Sequence, residues 1–287
     1  MRVLYYPHMH FGAHVSIAGG VQNAPVNAGK IGCEVFQMFT RSPQGGPAPA
    51  LTDEIRTAFA ENCRVGGFEQ WVVHTPYYIN LCSSDGKIRG NSVRVIREEL
   101  ERASVLGAAY IMFHPGSAKD VGEDEGIRLA VESLKKVMDG YAGSSRLLIE
   151  ISAGAGMIVG DTFEENAALL DGLGHPDVGI CFDTAHAFAS GYDLRDKKSL
   201  DATLKKFDSI IGLEKLKMMH ANDSKIELGG HKDRHEHIGQ GFIGLDGFKA
   251  IVAHPKLKDV NLYLETEPEG VEGDLRLLKV MRNNKYK

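Results

Sequence analysis

The feature that most constrains this chain is a rhythm of eight short, apolar, β-rich runs. They fall at Phe11–Val15, Glu34–Phe39, Trp71–His74, Tyr110–His114, Leu147–Ile151, Val178–Phe182, Leu216–His220 and Asn261–Glu265. Helical patterns fill most of the intervals. The clearest spans residues 91–107, where Val93, Ile96, Leu100 and Ala103 follow 3,4,3 spacing and Gly107 is placed to stop the helix. Residues 125–140 and 201–215 read the same way. Strands separated by helices pair in parallel, because a helical crossover returns the chain to the same end of the sheet. Eight such units close a barrel. The expected fold class is therefore α/β, a single (β/α)8 TIM barrel, and 287 residues is an ordinary length for one. No linker or charge block divides the chain. The expected layout is an N-terminal extension over residues 1–8 and one barrel domain over residues 9–287.

Two connections stand apart from the helical ones. Residues 41–51, rich in Pro and Gly, predict an exposed loop after the second strand, and residues 221–242 predict a long polar loop after the seventh. No apolar run approaches the ~20 residues that cross a bilayer. The first residues lack the apolar centre of a secretory leader, so a protein of the cytoplasm or nucleoid, without membrane contact, is expected. The net charge of −5 excludes a protein that holds nucleic acid by overall basicity. Four cysteines without a C-x-x-C pair read as reduced thiols, which leaves any metal site to other side chains.

In a TIM barrel the reactive groups sit where the C-terminal ends of the strands meet the following loops. Those ends carry His74, His114, Glu150, Asp183 with His186, His220 and Glu265, and the loop beyond the seventh strand adds Asp233 and His235. Taken singly, a strand-end histidine is more often a hydrogen-bonded core residue than a ligand, and "HKDRHEH" reads as a solvated turn. Together they form a different case. Four carboxylates at one mouth repel, and each buried charge costs several kcal/mol unless it is compensated. Cations remove that cost. Histidine with Asp and Glu, and no cysteine, suits zinc or manganese. Catalytic zinc takes about three protein ligands, so nine candidates suit three ions. Such a centre is used on in-line displacement, with phosphate as the expected substrate group.

The motifs "GAHVS", "MFHPGS", "DTAHAFASGYD", "HANDSK", "DRHEHIGQGFIG" and "LETEP", in this order from about Phe11 to Glu265, resemble the endonuclease IV family of zinc-dependent apurinic/apyrimidinic endonucleases. The resemblance implies three zinc ions per chain, with manganese accepted at one position. His74, His114 and Glu150 would hold the first; Glu150, Asp183, His220 and Glu265 the second; His186, Asp233 and His235 the third. A hydroxide between the first two ions would attack the phosphorus 5′ to an abasic sugar, with Glu150 and Glu265 as the catalytic carboxylates. The products would be a 3′-hydroxyl and a 5′-deoxyribose phosphate. The implied partner of the monomer is double-stranded DNA with abasic sites or blocked 3′ ends, the latter trimmed by the same displacement.

Tyr77 matches a family residue beside the extruded sugar, and Lys225 is a candidate for a substrate phosphate. One departure stands out. The family places an arginine and a tryptophan in the loop after the second strand, where this chain has Gln44 and Gly46. Inserted side chains offset an unstacking cost of a few kcal/mol per step, so weaker preference for abasic sites is expected unless Arg41 substitutes.

Two rival readings use the same residues. A divalent-metal sugar isomerase or epimerase on this type of barrel needs only Glu150, Asp183, His220 and Glu265. It leaves His74, His114, His186, Asp233 and His235 without a task. A non-catalytic damage-binding protein has no need of an open metal centre.

Overall fold

The structure is a computed structural model that describes residues 9–284; the extension expected over residues 1–8 lies outside the described residues. Among these, eight parallel strands close a barrel: β1 (Phe11–His14), β2 (Val35–Met38), β3 (Trp71–His74), β4 (Tyr110–Phe113), β5 (Arg146–Glu150), β6 (Gly179–Asp183), β7 (Leu216–His220) and β10 (Asn261–Leu264). Each runs within a residue or two of its sequence expectation. β10 closes the ring against both β1 and β7. The chain is thus an α/β protein, a single TIM barrel among the described residues.

The outer layer comprises α1 (Ala24–Lys30), α2 (Asp53–Gly66), α3 (Gly86–Val105), α4 (Glu123–Met138), α5 (Phe163–Leu173), α7 (Lys197–Ile210), α8 (Gly244–Ala253) and α9 (Val271–Asn284), while the short α6 (Thr184–Ala189) is wholly buried and continues directly from the end of β6. Several helices begin earlier than periodicity alone suggests, because capping residues lie upstream of the first apolar position. Asp85 accepts a hydrogen bond from the Lys87 amide at the start of α3, and Asp196 accepts one from Ser199 at the start of α7. Gly107 does end the α3 unit, with φ of 73°.

Strand periodicity sorts the core into two shells. Phe36, Val73, Ile111, Phe113, Leu147, Ile149, Ile180, Phe182, Met219 and Leu262 pack outward against the helices. Val35, Val72, Met112, Leu148, Cys181, Met218 and Tyr263 pack together inside the barrel. Truncating one such residue to alanine costs ~2–5 kcal/mol. Gly12 belongs to this inner layer for a steric reason: a Cβ there would lie 1.8 Å from the Val35 carbonyl oxygen. The chain ends are tied across the floor of the barrel. The Arg282 guanidinium of α9 donates to both Glu34 carboxylate oxygens at 2.8 Å and to the Met9 carbonyl at 2.9 Å, and it stacks on Phe11.

Two short strands were not foreseen. β8 (Asp223–Ser224) and β9 (His235–Glu236) form an antiparallel ribbon within the loop after β7. Among the described residues, no helix is long and apolar enough to cross a membrane, and Cys33, Cys63, Cys82 and Cys181 are free thiols.

Candidate metal centre

Two residues beyond the inner apolar layer, every barrel strand presents one polar side chain at its C-terminal end. Around the ring these are His14, Gln37, His74, His114, Glu150, Asp183, His220 and Glu265. Successive strand side chains alternate faces, so a position two residues past a barrel-core residue must point inward as well. The layer below is apolar and leaves these groups little water.

Glu150 sits at the middle and is fully buried. Its Oε2 lies 3.2 Å from His74 Nε2 and 3.4 Å from His114 Nε2, and accepts no well-formed hydrogen bond. Its Oε1 lies 2.8 Å from His220 Nδ1. The same His220 nitrogen is 3.4 Å from Glu265 Oε2 and 3.7 Å from Asp183 Oδ2. Asp183 then links to a third group. Its Oδ2 is 3.6 Å from His235 Nε2, which lies 3.3 Å from His186 Nε2; Asp233 Oδ1 is 3.4 Å from the former and 3.2 Å from the latter. All nine side chains named from the sequence therefore form one continuous cluster.

Hydrogen bonds fix which imidazole nitrogen each histidine turns inward. His74 Nδ1 donates to the Thr75 carbonyl at 2.6 Å and His186 Nδ1 to the Ile151 carbonyl at 2.9 Å. Both keep Nε2 toward the cluster. His186 Nε2 faces His235 Nε2 and an aspartate oxygen across gaps too short for water. In neutral imidazoles these would be lone pairs aimed at one another, an arrangement that calls for a proton or a metal ion between them.

The charges around the cluster favour a proton there when no ion is bound. Burial alone would push His186 down, but Asp183, Asp233 and Glu150 outweigh it and hold the imidazole up at about 10. His220 is likewise raised well above its ordinary value, burial being overcome by the Glu265 and Glu150 carboxylates. His74 is raised too, its burial overcome by Glu150 and Glu265. The carboxylates move the opposite way. Burial would raise Glu150 and Glu265, but the histidines around them carry Glu150 well below its usual range and Glu265 down to about 2. His114 is lowered, chiefly by burial. Cys181 lies 3.7 Å from His220 Nδ1, but burial pushes its thiol up to about 12, so it stays protonated beneath the cluster.

One buried carboxylate ties the start of the loop after β7 to its end. Asp223 is fully buried and accepts hydrogen bonds from the amides of Ser224, Gly239, Ile243 and Gly244 at 2.8–3.1 Å. The ribbon register pairs Ser224 with His235 and so delivers that histidine to the mouth. Asn222 clips three strand ends together: its Nδ2 donates to Asp183 Oδ2, its Oδ1 accepts from the Glu265 amide, and its own amide donates to Thr184 Oγ1.

Above the cluster opens a cleft of about 330 Å³, walled by Tyr77, Lys225, Arg234 and Glu267 over the histidines. Tyr77 is largely exposed, 5.6 Å from the His74 ring and 5.5 Å from Phe39. Lys225 and Arg234 bring positive charge to the rim. Gln44 is exposed on the loop after β2, where Gly45 and Gly46 both have positive φ.

Arg41 requires correction. Its side chain is 2% exposed and paired with Glu99 at 2.6 Å and Glu98 at 2.8 Å on α3, so it anchors the loop to that helix instead of projecting from it. The sequence reading missed His14, Gln37, Arg234 and Glu267. For the first two a signal existed: each lies two residues past an inner-layer position, Gly12 or Val35.

Comparison with known proteins bears on what such a cluster serves. A family model described as a xylose isomerase-like TIM barrel matches residues 26–282. A probable endonuclease 4 of Aquifex aeolicus is 40% identical over 261 residues, covering 90% of this chain and 92% of its own. Endonuclease IV from Thermus thermophilus superposes with a TM-score of 0.85 at 33% identity, over 96% of this chain and 99% of its own. A D-tagatose 3-epimerase-like protein shares the architecture at a TM-score of 0.74 and 20% identity, over 97% and 100% of the two chains; at that identity the likeness is of fold alone.

Proposed function

The chain belongs to the endonuclease IV family and is a nuclease hydrolase, and from that premise we propose that it cleaves the phosphodiester 5′ to abasic sites in double-stranded DNA. It leaves a 3′-hydroxyl and a 5′-deoxyribose phosphate and trims blocked 3′ ends by the same displacement. Our reading has it act as a monomer in the cytoplasm. The observation that carries this is the continuity of nine His, Asp and Glu side chains around a buried Glu150 whose Oε2 lies 3.2 and 3.4 Å from two histidine nitrogens without a well-formed hydrogen bond to either.

Nitrogen and carboxylate donors without a thiolate suit zinc. His74, His114 and Glu150 would hold one ion; Glu150, Asp183, His220 and Glu265 a second; His186, Asp233 and His235 a third, with manganese accepted at one of these positions. Zinc bound there supplies Lewis acidity toward phosphate oxygens and brings the pKa of water toward ~7.

The chain's own groups do the rest. The Thr75 and Ile151 carbonyls hold His74 and His186 with their Nε2 atoms inward. The apolar layer below excludes water from the far side. Lys225 and Arg234 at the rim meet the phosphate charge, and Tyr77 occupies the space beside the displaced sugar. With Gln44 and Gly46 in the loop after β2, and Arg41 committed to α3, this protein holds kinked DNA less firmly than a chain with an inserted arginine.

The test is incubation of a zinc-loaded sample with a duplex carrying one abasic site. Strand cleavage 5′ to the site with a 3′-hydroxyl product is expected. Absence of product, with epimerisation of a free ketose in manganese, would overturn the reading in favour of the sugar epimerases.

A further inference from the structure

We propose that Gln37, on a strand that contributes none of the nine cluster side chains, is a positioning residue of the metal centre: its amide dictates which nitrogen of His220 and which oxygen of Glu265 face the metal. The inference rests on the metal-dependent reading above and goes beyond the ligand set.

Gln37 is completely buried on β2. Its Oε1 lies 2.7 Å from His220 Nε2, and its Nε2 lies 2.6 Å from Glu265 Oε1 and 3.0 Å from His14 Nδ1. Only one orientation of the amide is consistent with these contacts. An ionised carboxylate can only accept, so the amide atom 2.6 Å from Glu265 must be the NH2. The flipped amide would press two acceptors together. With the NH2 on Glu265, the amide oxygen necessarily faces His220 Nε2, and that nitrogen must carry hydrogen to donate.

A histidine whose Nε2–H is committed has only Nδ1 to offer a metal. His220 Nδ1 is the nitrogen that faces Glu150, Glu265 and Asp183. The same amide occupies Glu265 Oε1 and leaves Oε2, the oxygen 3.4 Å from His220 Nδ1, turned to the cluster. The second amide hydrogen goes to His14 Nδ1, and His14 is braced by the Phe39 ring at 4.4 Å. The amide therefore ties two ligand-bearing strands, β7 and β10, to β2 and β1. Histidine ligands are generally oriented by such an outer partner, and its loss weakens metal binding ~10–100-fold.

Two variants and one spectrum test this. Gln37→Met keeps the volume and removes both hydrogen-bonding functions. Gln37→Glu keeps an oxygen for His220 but sets an acceptor against Glu265. Zinc affinity is measured by chelator competition, zinc content by elemental analysis, and stability by thermal unfolding of metal-free protein. Both variants are expected to bind one zinc ~10–100-fold more weakly than wild type, with Gln37→Met unfolding at nearly the wild-type temperature without metal. In zinc-loaded wild type, long-range proton–nitrogen spectra are expected to show His220 as the Nε2–H tautomer.

Unchanged zinc affinity in the variants, or the Nδ1–H tautomer in the wild type, would overturn the proposal. Should one variant fail to fold, the wild-type spectrum still decides. A wild-type protein that binds no zinc would instead overturn the functional reading itself, so the two failures are told apart.

Discussion

Loading the metal-free protein with zinc should expel protons, and the number follows from the cluster's electrostatics. His186, held up at about 10, and His220, raised well above its ordinary value, are both cationic near neutral pH. Coordination requires neutral imidazole, so each must lose a proton. Glu150 and Glu265 are already ionised and His114 is already neutral; none of these has one to give. About two protons per chain are therefore released, with His74 raising the count.

Each displaced proton makes apparent affinity tenfold tighter per pH unit. One proton belongs to the site of His220 and one to the site of His186, so each site gains about tenfold, and the overall constant for filling both gains about 100-fold, or ~2.7 kcal/mol, between roughly pH 6 and pH 7. The linked effect on the metal-free fold has the opposite sign. A histidine whose folded pKa exceeds its unfolded value stabilises the fold fully below about 6.5, and loses that contribution as pH rises through the folded value. The apoprotein should thus weaken toward alkaline pH while the zinc form does not. Titration calorimetry in buffers of different ionisation enthalpy reads the proton number directly. A value near zero, or net proton uptake, would refute the reasoning.

Further outcomes follow from individual contacts. Glu265→Gln should lower turnover on an abasic duplex by about 100-fold or more with little change in melting temperature, since it removes a cluster carboxylate and not a core contact; unaltered turnover would mean Glu265 has no part in the chemistry. Gln44→Arg should tighten binding to an abasic duplex by roughly tenfold, a fraction of one unstacking step, and equal dissociation constants by fluorescence anisotropy would dismiss the wedge idea. Glu34→Gln should cost ~1.5–3 kcal/mol by breaking the bidentate bond to Arg282. Glu34 is held below the usual range because the Arg282 bonds and the Phe11 amide outweigh burial, so its contribution is present above about pH 4.5 and lost below it; denaturation curves for the two proteins should converge in acid. Gly12→Ala should cost ~3 kcal/mol or more, given the collision with the Val35 carbonyl, and soluble protein of unchanged melting temperature would contradict the barrel register.

What the sequence made legible depended on periodicity. The strands were readable because each is a short apolar run followed by a polar residue at a barrel end, and six of the eight polar positions were recognised by their residue type. His14 and Gln37 escaped for different reasons. His14 lies inside the run Phe11–Val15 rather than after it, and its inner-layer neighbour two residues back is a glycine, so neither feature marks it as a strand-end group. Gln37 is an amide, neither acid nor base, and acquires its meaning only from what lies 2.6–3.0 Å away on strands remote in sequence. Arg41 failed the other way. A basic residue on a Pro/Gly-rich loop reads as exposed, but Glu98 and Glu99 face the loop from α3, and no local pattern reveals that packing. The β8–β9 ribbon was invisible because strands this short carry no periodicity at all.

The same contrast divides the cluster mechanically. Glu150, Asp183 and His220 come from strands and are fully buried, so their positions are set by barrel closure and by the apolar layer beneath them. Asp233 and His235 come from a loop, and Asp233 remains more than half exposed. A long loop left to itself would blur a site in which a misplacement of about 1 Å costs ~100-fold in rate. Asp223 is the chain's answer. Burying that carboxylate raises its proton affinity, a cost set against four backbone amides that converge on it. One buried acid thereby ties the loop's beginning to its end and fixes the span that carries Asp233 and His235. The polar cluster and the device that supports it are both expensive in isolation, and the apolar layer packed beneath the cluster offsets part of that cost.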